Sequence, residues 1–139
     1  MSEVIEKPRL VNVNQSYWNI IQCLFAAGEA APGNPKKSEE FTTFFTENPH
    51  YRFGNPDTMV THKAIRDSSI EFSSKVKGLR HIIKTVWQTE EDAIIIEMDV
   101  AYYRFDGKTV TLPVMDFFRF EGDKISELRI FMDVNPVFA

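Results

Sequence analysis

Residues 93–120 read AIIIEMDVAYYRFDGKTVTLPVMDFFRF. Branched and aromatic residues fill both sides of Asp106-Gly107, and an Asp-Gly pair between two such runs is the strongest short-range signal for a β-hairpin. Similar runs flank this hairpin on both sides, each after a short turn. The pattern predicts an antiparallel four-stranded meander, with strands over residues 79–89, 93–105, 108–120 and 124–134.

Three helices are predicted before the meander. Polar residues that can cap a helix precede apolar residues at helical spacing. The predicted helices begin at Asn14, Ser38 and Thr61 and end near Gly28, Asn48-Pro49 and Gly78, with a short strand over residues 50–53. Helices followed by a run of antiparallel strands indicate an α+β fold, in which the helices pack on one face of a curved sheet.

The length of 139 residues fits one domain with one continuous core. We predict a flexible N-terminal arm over residues 1–13 and a single domain over residues 14–139, because no linker or internal repeat divides the rest. Aromatic residues make up 13% of the chain, and 12 of them are phenylalanine. This content favours either a thick core or an apolar cavity walled by rings.

Charge and motifs exclude several functional classes. The net charge is -4 and no basic cluster is present, so neither nucleic acid nor a membrane surface is an expected partner. We expect a cytoplasmic protein, because the chain begins without a signal-like segment and has no apolar run of about 20 residues. The single Cys23 excludes an internal disulfide. The three histidines lack metal-ligand spacing, and nucleotide-binding glycine motifs are missing, so no metal or cofactor is expected.

Asp116 is the sharpest anomaly in the predicted sheet. Strand alternation places it on a face whose other members are apolar: Val110, Leu112, Val114, Phe118 and Phe120. A carboxyl group in such surroundings must be hydrogen-bonded, paired, or kept neutral by a raised pKa, and each of these makes it a candidate for acid–base chemistry. The alternatives are a purely structural hydrogen-bonding role, or a bulge that turns Asp116 outward.

His81 is predicted to point inward as well. It alternates with apolar residues in the first strand of the meander, so it shares the face of Leu79, Ile83 and Trp87. Together with Asp116 it predicts a carboxylate–imidazole pair suited to proton transfer near neutral pH. Alternation in the next strand places Asp99 on a mixed face, which by itself predicts a solvent-facing side chain.

The last two strands resemble those of a known superfamily. The residues that carry the resemblance are LPVMDFFRF at 112–120, Gly122-Asp123-Lys124-Ile125, and the segment 129–136. They resemble the nuclear transport factor 2-like superfamily, and in particular SnoaL-like proteins, over about residues 14–137. The resemblance implies a cone-shaped α+β barrel with a deep apolar pocket. It also implies a homodimer, and a range of activities that includes isomerases, cyclases, dehydratases, epoxide hydrolases and non-catalytic binders.

The resemblance transfers catalytic residues only in part. Asp116 falls where ketosteroid isomerase has the protonated aspartic acid of its oxyanion hole. The general base of that enzyme falls near Phe53 and its tyrosine near Ile21, so its complete mechanism is not implied.

The similarity to limonene epoxide hydrolase is also incomplete. Tyr51 and Asp99 match the tyrosine and one acidic residue of that enzyme, but Phe53, Glu97 and Ile130 depart from its pattern. This alignment puts Asp99 on the pocket side of the sheet. It then requires the apolar face from Ile94 to Tyr102 to be buried in a dimer.

These observations favour a cofactor-independent enzyme that uses general acid–base catalysis on a small apolar, oxygen-bearing molecule, by isomerisation, cyclisation or dehydration. The candidate catalytic residues are Asp116, His81, Tyr51 and Asp99. The candidate substrate-binding residues are Tyr17, Phe53, Phe72, Val114, Phe118, Leu128, Ile130 and Met132. The alternatives are a non-catalytic ligand-binding or dimerisation module, and an epoxide hydrolase variant based on Asp99 and Tyr51.

Overall fold

The fold is an open six-stranded sheet with helices packed against one face, which confirms the predicted α+β class. A computed structural model describes residues 7–139. The strands are β1 (Arg9–Val11), β2 (Phe45–Phe53), β3 (Gly78–Glu90), β4 (Ala93–Tyr103), β5 (Thr109–Glu121) and β6 (Lys124–Phe131). The helices are α1 (Gln15–Ala30), α2 (Pro35–Thr42), α3 (His62–Ser73) and α4 (Asn135–Phe138).

The sheet has the order β1-β3-β4-β5-β6-β2 and contains the predicted meander, from β3 to β6, at its centre. Both edges differ from the prediction, because β1 pairs with β3 and β2 pairs with β6 in parallel. The sheet is therefore mixed and does not close into a barrel. Strands joined by tight turns must run antiparallel, whereas β1 and β2 reach their neighbours through long connections that impose no such rule.

The helix caps at Asn14 and Thr61 form as predicted. Their side chains accept hydrogen bonds from the backbone N–H groups of Tyr17 at 3.1 Å and Ala64 at 3.0 Å. The second helix differs, since it begins at Pro35 and places Ser38 inside it instead of at its cap. The segment after it is not helical, because Phe45–Phe53 joins the sheet beside β6.

The predicted N-terminal arm lies partly outside the described residues, which begin at residue 7. Within the described part, Arg9–Val11 pairs with Thr85–Trp87 of β3. A three-residue strand of this kind depends on its partner, and sequence periodicity does not reveal such a partner.

The inner face of the sheet, defined as the face that packs against the helices, includes the apolar side of β4. Ile94, Ile96, Met98, Val100 and Tyr102 are all at most 3% exposed. The prediction that a dimer would bury this face is therefore wrong, because the helices of the same chain cover it. No helix within residues 7–139 has the length and apolar character required to span a membrane, and the cytoplasmic location stays a prediction.

Candidate functional site

One pocket lies between the helices and the inner face of the sheet, and aromatic rings form much of its wall. The rings belong to Phe25, Phe41, Tyr51, Phe53, Phe72 and Tyr102, and the polar lining residues are Ser68, Ser69, Ser73, His81 and Asp116. The space open to the centre of a water molecule is about 90 Å³. Because one water requires roughly 10–15 Å³ of such space, the pocket has room for a small organic molecule.

Asp116 projects from the inner face of β5, between Ile96 of β4 and Ile130 of β6. The residue is 2% exposed, and its buried Oδ1 atom has no hydrogen-bond partner in the part of the chain that the structure describes. Burial raises the pKa of Asp116 well above its usual value. Burial therefore favours the neutral form of the side chain, and in that form it can donate a hydrogen bond into the pocket.

Two tyrosines share the pocket wall with Asp116. Burial, followed by the charge that Asp116 carries when ionised, raises the pKa of both Tyr51 and Tyr102. Both phenols consequently remain protonated across the physiological range. The Tyr102 hydroxyl donates to the Met132 sulfur at 3.5 Å. The pocket thus combines a neutral carboxylic acid with two neutral phenols.

His81 lines the same pocket, but its carboxylate partner is not the predicted Asp116. The Nδ1 atom of His81 lies 2.9 Å from Oε2 of Glu29, in the last turn of α1. The strand register opposes His81 to Val100 and Asp116 to Ile96. These two positions on β4 are four residues apart, a distance of about 13 Å along an extended strand. That separation is the physical reason why the predicted direct pair does not form.

Asp99 lies on the outer face of the sheet, which corrects the pocket-side placement implied by the epoxide hydrolase resemblance. Its carboxylate is 3.2 Å from the Lys84 ammonium, and its side chain is 31% exposed. The reason is parity, since Met98 and Val100 on either side of it both face the pocket. The hypothesis that Asp99 and Tyr51 activate water together therefore loses its geometric basis.

The predicted substrate-binding residues divide into two groups. Those that line the pocket are Phe53, Phe72, Val114, Leu128 and Ile130. Three others do not: Tyr17 stacks on Phe120 with ring centroids 4.1 Å apart, Phe118 is fully buried in the core, and the Met132 sulfur accepts a hydrogen bond from the Tyr102 hydroxyl. Alternation identifies the face on which a side chain lies, but not whether a helix covers that position.

The sequence reasoning also missed residues that take part in the site. Tyr102 lies on the side of β4 that alternation predicts to be apolar. Its hydroxyl group is the one polar group on that side and could have indicated a pocket residue. No sequence pattern indicates a role for Glu29, because its contact with His81 joins residues 52 positions apart. Ser69 donates to Ser38 at 2.9 Å and ties α3 to α2 beside the pocket.

Lysine, arginine and glutamate side chains do not line the pocket in the described part of the chain. Within residues 7–139 no three His, Cys, Asp or Glu side chains come together as a group that could hold a metal ion. Within their apolar wall, Asp116, His81 and the two tyrosines can donate and accept hydrogen bonds and can transfer protons.

Residues 32–128 match the family model of the SnoaL-like domain, which spans more than half of the chain. The chain belongs to the SnoaL-like domain family. None of the curated protein sequences matches it. The matched segment contains α2, α3 and most of the sheet, and it includes His81 and Asp116 but not Glu29.

Solved structures of SnoaL-like and related proteins share this fold. A proposed SnoaL-like polyketide cyclase from Jannaschia sp. CCS1 is 15% identical, with a TM-score of 0.71 and coverage of 96% of this chain and 95% of its own. A hypothetical protein with a ketosteroid isomerase-like fold from Catenulispora acidiphila DSM 44928, in complex with trimethylamine, is 15% identical, with a TM-score of 0.69 and coverage of 81% and 83%. An LEH-like epoxide hydrolase of M. tuberculosis is 13% identical, with a TM-score of 0.69 and coverage of 89% and 87%. At these identities the likeness shows the fold alone.

Proposed function

We propose that this SnoaL-like protein is a cofactor-independent enzyme that catalyses proton transfer on a small, neutral, oxygen-bearing molecule. The observation that carries the proposal is the buried Asp116 carboxyl, which lines the pocket with one oxygen unpartnered. A buried polar atom without a hydrogen-bond partner lowers the free energy of unfolding, so an Asp116 without a ligand destabilises the folded protein. A ligand oxygen that accepts from Asp116 would remove that cost.

In the proposed mechanism, His81 and Asp116 act on different atoms of one substrate. His81 accepts a proton from a carbon that a conjugated double bond links to a carbonyl group, and the electrons of that C–H bond move through the double bond towards the carbonyl oxygen, so the substrate spans the distance between the two residues. Neutral Asp116 donates a hydrogen bond to this oxygen as its negative charge develops. Tyr51 and Tyr102 orient the oxygen, and the aromatic wall excludes water. Return of the proton to another carbon gives isomerisation, and attack of the enolate carbon on a second carbonyl gives cyclisation.

The test requires no knowledge of the natural substrate. In D₂O, a base that removes a proton from a carbon conjugated with a ketone exchanges it for deuterium, and NMR records the loss of the proton signal. We expect the protein to accelerate this exchange for some members of a panel of small cyclic enones. Asp116→Asn and His81→Gln are each expected to reduce the rate about 10²–10³-fold, the usual effect of removing such a group.

Matched tyrosine variants provide the control. Tyr51→Phe and Tyr102→Phe are expected to slow the exchange, whereas Tyr17→Phe removes a hydroxyl group outside the pocket and should not. Binding of a ketone without accelerated exchange would contradict the enzyme and would favour a non-catalytic binding module.

A second candidate function is the binding of a small organic cation. The pocket surrounds Asp116 with aromatic rings, and no lysine or arginine lines it in the described residues. Rings of this kind attract ammonium groups, and an unpaired carboxylate would supply the counter-charge. The structural neighbour that contains trimethylamine supports this alternative.

The two candidates use Asp116 in opposite protonation states, so proton release on binding separates them. Calorimetry in buffers of different ionisation enthalpy would compare choline with its neutral analogue 3,3-dimethylbutan-1-ol. A cation site predicts tighter binding of choline by about 2 kcal/mol, with release of the Asp116 proton, and Asp116→Asn would remove the preference. Equal affinities would reject the cation site.

We also propose that the protein forms a homodimer through the outer face of the sheet. Ile95, Met115, Phe117 and Phe131 form an apolar depression on that face, and Phe131 is 58% exposed. Arg129 borders this depression, and Lys84 and Glu97 line a neighbouring groove together with Met115 and Phe131, so the face can be complementary to a second copy of itself.

A further inference from the structure

Helix α1 holds the imidazole ring of His81 through its last turn. Oε2 of Glu29 lies 2.9 Å from Nδ1 of the ring and accepts a second, longer hydrogen bond from the His81 backbone N–H at 3.4 Å. One carboxylate oxygen therefore contacts both the ring and the main chain of the same residue. The Glu29 side chain is 36% exposed, so it keeps contact with water, while the His81 side chain is only 13% exposed.

The face of the same ring is held by a second residue of α1. Phe25 stacks on His81 with ring centroids 4.2 Å apart and planes 9° from parallel. Phe25 and Glu29 are four residues apart, so they project from the same side of the helix. One helical turn thus fixes both the tilt of the imidazole and its rotation about the ring axis.

This arrangement determines which nitrogen of a neutral His81 carries the proton. An ionised carboxylate can only accept a hydrogen bond, so Nδ1 must be the donor and Nε2 is left without a proton. Nε2 has no hydrogen-bond partner among the described side chains and backbone groups, and His81 lines the pocket. We propose that Glu29 is a positioning residue, which holds neutral His81 in the Nδ1–H tautomer so that Nε2 is the proton acceptor of the pocket.

The other two histidines supply internal references for the test. Nε2 of His62 lies 2.6 Å from the backbone carbonyl oxygen of Thr46, and a carbonyl oxygen can only accept. Neutral His62 must therefore be the opposite tautomer, Nε2–H. His50 is exposed and makes no side-chain hydrogen bond in the described part of the chain. Its spectrum therefore shows the mixture of tautomers that a histidine adopts in water.

The experiment is a long-range ¹H–¹⁵N NMR spectrum of the histidine rings in the complete chain, recorded where the imidazoles are neutral. We expect the Nδ1–H pattern for His81 and the Nε2–H pattern for His62. Glu29→Leu should move His81 towards the pattern of His50 and leave His62 unchanged. Glu29→Asp, which keeps the carboxylate, should restore part of the Nδ1–H population. Glu39→Leu, at an exposed position on α2, is the matched control and should change none of the three rings.

A His81 ring in the Nε2–H form, or an identical His81 spectrum in Glu29→Leu, would overturn the inference. If Glu29→Leu does not fold, Glu29→Gln replaces it, because its amide group can donate as well as accept and should therefore weaken the preference of His81 for the Nδ1–H form that Glu29→Asp keeps.

The catalytic consequence rests on the proposed function and is measured separately. Ketone exchange by Glu29→Leu is expected to fall about 10²-fold, the lower end of what a general base contributes. An altered tautomer with no acceleration of exchange even by the unmodified protein would refute the proposed function and leave the positioning role of Glu29 intact. An altered tautomer with normal exchange would refute the use of His81 as the base.

Discussion

At the scale of single residues, the carboxyl group of Asp116 both destabilises the fold and supplies the proposed acid of the pocket. Burial raises the pKa of Asp116 and favours its neutral form, since ionisation inside an apolar pocket is unfavourable. The protonated group still lacks a partner for Oδ1 within the described residues. Sites that retain such unsatisfied groups trade stability for a pre-formed ligand contact.

This protonation makes the stability of the fold depend on pH. Above about pH 4 an unfolded chain releases the Asp116 proton, while the folded protein keeps it. The unfolded state then binds fewer protons, so the free energy of unfolding falls as pH rises, by about 1.4 kcal/mol per unit, until the raised pKa is passed. Asp116→Asn cannot ionise and should lack this contribution.

Urea denaturation of both proteins at several pH values measures the effect. The difference in unfolding free energy between Asp116→Asn and the unmodified chain should grow in favour of the variant as pH increases. The comparison cancels the other titrating groups, which the two proteins share. Parallel stability curves would mean that Asp116 has an ordinary pKa.

At the scale of elements, local signals fix the beginnings of two helices. Thr61 caps α3 by accepting from the Ala64 N–H at 3.0 Å, and α3 carries Phe72 and the pocket serines. Thr61→Ala removes this hydrogen bond and is expected to cost about 1 kcal/mol of unfolding free energy.

Denaturation of Thr61→Ala beside Thr61→Ser tests the cap. The serine variant keeps the hydroxyl group and should retain nearly full stability, because serine is at least as good a cap as threonine. Equal losses in the two variants would indicate that the threonine methyl group, and not the hydrogen bond, matters at this position.

A shift in the pairing of β3 explains why Trp87 does not point inward, as strand alternation predicts. The pairing of β3 with β4 shifts between Ile83 and Thr85. A bulge of this kind reverses the alternation beyond it, so Val86 is fully buried and Trp87 is only half-buried. His81 lies before the shift and keeps its predicted inward direction.

At the scale of the whole molecule, the sheet leaves apolar side chains on its outer face as well as its inner one. Met115 and Phe131 are 40% and 58% exposed there. If this face is the proposed dimer interface, Met115→Lys with Phe131→Lys should convert the protein to a monomer, because two charges would be buried without partners on each side.

Sedimentation velocity measures the outcome over a range of concentrations. Phe105→Lys is the matched control, since Phe105 is 69% exposed near the turn between β4 and β5, away from this face. A protein that is monomeric before any substitution would reject the proposed dimer.

The sequence by itself determined the features that depend on near neighbours in the chain. The Asp106-Gly107 turn predicted the central hairpin, and the caps at Asn14 and Thr61 predicted where helices begin. Alternation alone predicted that Asp116 is buried and that Asp99 is not. These predictions hold because turns, caps and the two-residue period of a strand are set by adjacent residues.

Tertiary structure alone decided which of these residues meet. Several contacts join segments far apart in the chain. They are the pairing of the edge strands β1 and β2 with the meander, the packing of Tyr17 and Phe118 outside the pocket, and the contact of Glu29 with His81. Such contacts depend on strand register and on how the helices lie across the sheet, and neither leaves a periodic trace in the sequence. The sequence therefore predicted that Asp116 faces the pocket, whereas the contact of His81 with Glu29 could be identified only in the folded structure.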